Sequence, residues 1–354
     1  MKNVYYIPVA ILVIFGCKSK PETTNKNNHY KKPAHIITSN EDTTEVDPST
    51  LSGCLPTSFK YRGGGSDEFF PGTFNDKTYV YNSVKPGAKI IDSLSFNTSV
   101  NVLKEYSDFY LICTPHANAG YIKRTDLYLH KIFNASVINE YHYYLVGITK
   151  YPKKEDRQWG NDCNASLLKM VKIDEKTSKR LDTYTDSIYA VGYAINSVNA
   201  LALKNAQALF HITYNCYNDI ETDNDLFVID NGKNLKTLIS SSSTGDGGYG
   251  DGSDIYLPVT LVNGKKVVLA KNGVITIDNT NLKPEVLPYP TDCDIPIDEL
   301  VIEQFWNEAD DTEGEQKYNK DGSAINYTTI TSTVYYRWDG NTLKKVKEVK
   351  GSGN

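Results

Sequence analysis

Several things are scarce in this sequence. Of 354 residues only two are methionine and three tryptophan, against 26 tyrosines and 11 phenylalanines. The flexible apolar bulk that fills helical cores is nearly missing, and the aromatics that remain suit a pleated, half-exposed surface. There is no long hydrophobic run either. The stretch from Ile7 to Phe15 falls well short of the about 20 apolar residues that carry a helix across a bilayer. Basic residues do not outnumber acidic ones, and the net charge of −5 speaks against a nucleic-acid partner, because phosphate binding needs a basic face.

Catalytic patterns are missing as well. The histidines are His29, His35, His116, His130, His142 and His211, with no His-x-His or His-Glu-x-x-His among them. No Gly-x-Ser-x-Gly elbow occurs, and Gly63-Gly64-Gly65-Ser66 lacks a strand before it and a helix after it. Cys113 followed by His116 is the nearest approach to a thiol nucleophile with a base. The expectation is therefore a non-enzymatic protein with no cofactor. One glycine-rich stretch, Ser240 to Asp254, carries Asp246, Asp251 and Asp254, oxygen donors suited to a calcium-like ion. Their spacing does not follow the helix-loop-helix calcium pattern and no glutamate closes the loop, so it reads as a surface loop. The acidic run Glu308 to Glu315 reads the same way.

What is present begins with an address. Residues 1–17 run from a basic start through a short apolar stretch to Ile14-Phe15-Gly16-Cys17. This ending resembles the lipobox of bacterial lipoproteins. The resemblance implies cleavage of a signal peptide of residues 1–16, lipidation at Cys17 and a place in the bacterial cell envelope, with membrane held through acyl chains. From there to residue 53 the chain is rich in Lys, Thr, Asn, Pro, Glu and Asp, a composition that reads as a disordered tether. Beyond Cys17 the cysteines are Cys54, Cys113, Cys163, Cys216 and Cys293, with no Cys-x-x-Cys pair. Cys163 with Cys216 is the disulfide candidate for an exported protein. The reading of all five as small buried hydrophobes stays open beside it.

Between Phe74 and Leu129 come short strand-forming runs split by Gly, Asn, Pro or Ser: Tyr79-Val80-Tyr81, Lys89 to Leu94, Ser99 to Leu103, Asp108 to Ile112 and Gly120 to Lys123. Five strands in so little chain predict a small barrel. The order of Lys89-Ile90-Ile91-Asp92-Ser93-Leu94, Val100-Asn101-Val102-Leu103, Asp108-Phe109-Tyr110-Leu111-Ile112 and Gly120-Tyr121-Ile122-Lys123 resembles the bacterial SH3-like domain family. Tyr81 stands where that family often has Arg, Asn97 where it has Gly, and Phe109 and Tyr121 where it prefers Trp. The resemblance implies a barrel over residues 54–129 that binds peptides, often cell-wall stem peptides. Tyr79, Tyr81, Tyr110 and Tyr121 are the candidate groove residues, since tyrosine offers rigid apolar area with a polar tip. Phe109 is expected in the core.

Residues 130–350 show further β punctuation, with Asn231-Gly232, Asn263-Gly264, Asn272-Gly273 and Asp339-Gly340 as hairpin turns. This part is expected to be antiparallel β. Three echoes of Ile-Asp, at Lys172-Ile173-Asp174, Val228-Ile229-Asp230 and Thr276-Ile277-Asp278, favour a propeller-like repeat, with a β-sandwich as the alternative. Ala190 to Ala206 reads as helix or as turn and strand, and Asp298 to Ile302 as helix or strand. The whole reads as an all-β, lipid-anchored envelope protein that binds a cell-wall peptide or a protein partner. The alternatives are a cell-wall or polysaccharide hydrolase targeted by its barrel, and an inhibitor or immunity-type lipoprotein that captures a toxin.

Overall fold

Alternating apolar and polar residues put one face of a strand in a core, while unbroken apolar runs make strands buried on both faces, and the described residues include both kinds. The computed structural model describes residues 45–51, 54, 69–133, 142–152, 165–190, 192–198, 203–218, 220–246, 249–260, 267–271, 299–309 and 326–351. Among them are nineteen β-strands, two short 3-10 turns and no α-helix, so the all-β class is the one observed.

After β1 (Phe69–Thr73), five short strands form the first sheet: β2 (Lys77–Tyr81), β3 (Ile90–Ser95), β4 (Asn101–Glu105), β5 (Phe109–Cys113) and β6 (Ala119–Lys123). Their spatial order is β3-β2-β6-β5-β4. In β2 the pattern is the expected one, with Val80 buried while Tyr79 and Tyr81 share the other face. Leu94 from one edge and Val102 from the other meet Val80, Ile112 and Ile122 in one core, so the sheet bends round its apolar side. The expected barrel closure does not occur. The β3-to-β4 connection instead bridges to β1, through Ser99 opposite Gly72 and the Val100 N–H on the Pro71 carbonyl at 3.0 Å, and β1 belongs to the next sheet. Gly120 is required by close approach: a Cβ there would lie 2.4 Å from a methyl of Val80.

The second sheet has the order β1-β7-β8-β9-β10, with β7 (Leu127–Phe133), β8 (His142–Lys150), β9 (Ser166–Asp174) and β10 (Arg180–Ile188). Strand β7 starts in the core of the first sheet, where Leu127 is buried, and continues as the second strand of this one. The two sheets therefore meet through the start of β7, whose Leu127 packs into the first core although the strand pairs only with β1 and β8, close to where the sequence placed a boundary at residue 129.

The third sheet holds nine strands: β11 (Ala194–Val198), β12 (Ala208–Asn218), β13 (Ile220–Asp230), β14 (Leu235–Asp246), β15 (Tyr249–Thr260), β16 (Val267–Lys271), β17 (Glu299–Ala309), β18 (Asn326–Trp338) and β19 (Leu343–Lys350). Strands β14 and β15 pair only beside their hairpin, residues 244–246 with 249–251. Beyond that they diverge, and the sheet folds over a core between its halves. Leu209, Phe227, Ile229 and Leu238 come from one half, and Ile255, Leu257, Leu300 and Trp338 from the other. The opposite face of β12 and β13, with Phe210, Ile212, Leu226 and Val228, packs on Tyr144, Val146, Leu168 and Met170 of the second sheet. Sheets stacked face to face are a sandwich arrangement, and the propeller expectation is corrected. Propeller blades are separate four-stranded units, whereas here strands of up to 13 residues run on in one hydrogen-bonded series.

The turn readings at Asn231-Gly232 and Asp339-Gly340 fall between β13 and β14 and between β18 and β19, with both glycines at positive φ. Asn263-Gly264, Asn272-Gly273 and Thr276-Ile277-Asp278 lie outside the described residues. The stretch from Ser240 to Asp254, read as a loop, is the β14-β15 hairpin.

Candidate functional site

The outer face of the first sheet gathers the residues singled out in the sequence. Tyr81 pairs in register with Tyr121, and Tyr121 with Leu111, so these three stand side by side across β2, β6 and β5. Phe109 meets the Tyr81 ring edge-on, with centroids 6.3 Å apart. Tyr79 is exposed, with the Lys77 ammonium 5.1 Å above its ring. Tyr110 does not join them. It pairs with Ile122 and points with it into the core, its ring beneath the Arg124 guanidinium at 5.3 Å. Phe109 and Tyr110 thus exchange the positions expected of them, because the register of β5 against β6 turns Phe109 outward beside Lys123.

Tyr121 is fully buried although it lies on the outer face. Residues 45–51, which by composition belong to the tether, run across it. The Tyr121 hydroxyl donates to the Val46 carbonyl at 2.7 Å and accepts the Val46 N–H at 3.1 Å, so one phenol satisfies both backbone groups of one residue. Burial, and then the adjacent Tyr106, push the phenol well above its usual range, which keeps it protonated and able to donate. The Tyr106 ring packs edge-on against Tyr121 at 5.4 Å. One residue back, the Glu45 carboxylate accepts the Val84 N–H at 3.2 Å and sits 3.2 Å from the Lys85 ammonium. The Ser83 hydroxyl, followed by Lys85 and the Val84 amide, holds this carboxyl below its ordinary value. One residue on, Asp47 turns the chain: its carboxylate accepts the Ser49 N–H at 2.9 Å, and a 3-10 turn over Pro48–Leu51 follows with Pro48 buried.

Cys54 and Cys113 form a disulfide, and Cys113 stands on this face at the end of β5. A thiol nucleophile at Cys113 is thereby excluded, and His116 instead faces Asp92 at 3.2 Å on the surface. The sequence reading missed this pair, for which the only signal was that both cysteines fall within residues 54–129. Cys216 is also disulfide-bonded; Cys163 and the lipidation candidate Cys17 lie outside the described residues.

Elsewhere the polar groups serve the fold. The Asp230 carboxylate is wholly buried and accepts from the Lys172 ammonium (2.7 Å), the Tyr144 hydroxyl (2.7 Å) and the Gly232 N–H (2.8 Å). His211 lies 2.5 Å from Asp225 and stacks on Phe227. Of the three aspartates considered for a cation, Asp246 ends β14, while Asp251 and Asp254 stand three apart on one strand and face opposite ways. Asp251 accepts a hydrogen bond from Thr244. Among the described residues no group of three or more His, Cys, Asp or Glu side chains converges, and no helix is long and apolar enough to cross a membrane. No family model matches the chain, and no match is found among curated proteins or solved structures.

Proposed function

We propose that this is a lipid-anchored cell-envelope protein that binds an extended peptide, of the cell wall or of a protein partner, on the outer face of its first sheet, in a non-enzymatic binding or scaffolding role. The observation that carries this reading is the backbone of Val46 lying across Tyr121 with both its N–H and its carbonyl satisfied. A face that holds main chain in this way takes extended peptide through its backbone, and flanking aromatic rings add apolar area. Tyr79 and Tyr81 extend the face beyond the covered part. The lipobox-like Ile14-Phe15-Gly16-Cys17 supports the anchor.

The test is retention of the full chain, purified in detergent, by isolated peptidoglycan, compared with the Tyr79→Ala, Tyr81→Ala double variant. Both side chains stand on the outer face, so the variant keeps the core; its thermal melt checks this. The expected result is saturable retention that weakens about thirtyfold in the variant, since two aromatic contacts contribute of order 1 kcal/mol each. Equal retention of both proteins, or of neither, overturns the reading.

A further inference from the structure

Residues 45–51 occupy the middle of the proposed face with a fitted set of partners. Val46 offers its backbone to Tyr121, Glu45 its carboxylate to Val84 and Lys85, and Pro48 is buried where the segment turns away. Just beyond this turn, the Cys54–Cys113 disulfide fastens the segment to the same face. A polar stretch of this composition does not order itself, so its order here comes from the face it lies on. We infer that residues 45–51 are a built-in occupant of the groove, and that the face around Tyr121 accepts an external, extended, acidic peptide only when this segment is displaced. The inference rests on the function proposed above and specifies both its ligand class and its control.

Charge selects the ligand. A carboxylate one residue before the bound backbone finds an N–H donor and an ammonium, whereas a lysine there meets Lys85 and is repelled. The control follows from effective concentration. A segment tethered at Cys54 competes as an intramolecular ligand, so only a small fraction of molecules has the groove open and the apparent affinity for an external peptide falls by that fraction.

The probe is a fluorescein-labelled synthetic peptide with the sequence of residues 42–51, titrated by anisotropy against full chain in detergent. Three proteins are compared: the wild type, a released variant carrying Glu45→Lys and Val46→Pro, and the released variant with Tyr121→Phe added. Val46→Pro removes the N–H that Tyr121 accepts, and the disulfide is left intact so that folding is preserved; a second released variant, with Cys54→Ser and Cys113→Ser added, shows whether the fastening contributes. We expect the released variant to bind at least tenfold tighter than the wild type, Tyr121→Phe to reverse most of that gain, and a probe with lysine in place of its Glu45-equivalent to bind at least fivefold more weakly. Equal binding by wild type and released variant, both giving native melts, overturns the inference, as does indifference to Tyr121→Phe. Peptidoglycan retention is measured on the same proteins. If retention persists while peptide binding ignores release, the inference fails alone; if neither ligand binds any of them, the proposed function fails with it.

Discussion

Asn97 lies in the left-handed region at φ 59°, in the turn between β3 and β4, where the SH3-like pattern has glycine. The backbone demand was therefore legible, because asparagine is among the few residues that tolerate this conformation. Its second role was not. The amide donates to the Tyr143 hydroxyl at 2.7 Å and accepts from the Tyr128 hydroxyl at 2.8 Å, and both tyrosines belong to the second sheet. Asn97→Ala is expected to cost about 2–3 kcal/mol in urea unfolding, from two lost hydrogen bonds and a strained φ, and Asn97→Gly about 1 kcal/mol less. Equal stability of all three would mean that the two hydroxyls find other partners. His130 is the residue that ties stability to pH. Burial pushes its imidazole down to about 4, so it is neutral in the fold while the unfolded chain titrates near 6.5. Because the unfolded state binds the extra proton, stability falls as pH drops from about 6.5 toward 4, by up to about 3 kcal/mol. Carboxylates such as Glu45 also lose stabilisation on acidification, so the check is the difference between wild type and His130→Gln, whose slope over that window is predicted to be shallower. Parallel pH profiles would remove His130 from the account.

At the level of strands, sequence reading succeeded where the signal is local. Strands β8, β9, β12, β13, β18 and β19 fall on runs read as strand candidates, and the turn pairs Asn231-Gly232 and Asp339-Gly340 close the hairpins they predict. It failed where a strand owes its state to its neighbours. Ser240-Ser241-Ser242-Ser243 has weak strand preference, yet it pairs residue by residue with Leu226, Asp225, Asn224 and Asp223. The two Ile-Asp echoes within the described residues mark strand ends: Asp174 receives the Thr177 N–H at the turn after β9, and Asp230 the Gly232 N–H after β13. Asp230 does more than end a strand, since its pairing with Lys172 of β9 joins the second sheet to the third at a site where both side chains are buried. Asp230→Ala leaves a buried ammonium without its carboxylate and is expected to cost about 3–5 kcal/mol, much of it regained when Lys172→Met is added. A small loss for Asp230→Ala alone, measured by denaturant unfolding, would show that water reaches this pair.

For the whole molecule, the order of the chain hides what lies together. Segment 45–51 reads as tether because its composition is polar, and only the fold shows that it crosses the face whose tyrosines the SH3-like pattern had marked. The barrel expected over residues 54–129 is an open sheet whose core takes in Leu127 from β7 of the neighbouring sheet, so the proposed binding face is backed by a second sheet. The proposed function and its control meet in one arrangement, in which this face binds extended peptide and residues 45–51 keep it covered. Its most direct test is retention by peptidoglycan of three full-length proteins side by side: wild type, the Glu45→Lys, Val46→Pro released variant, and the released variant with Tyr79→Ala and Tyr81→Ala. Release is expected to strengthen retention about tenfold or more, and the aromatic substitutions to remove most of the gain. Three folded proteins retained alike would contradict it.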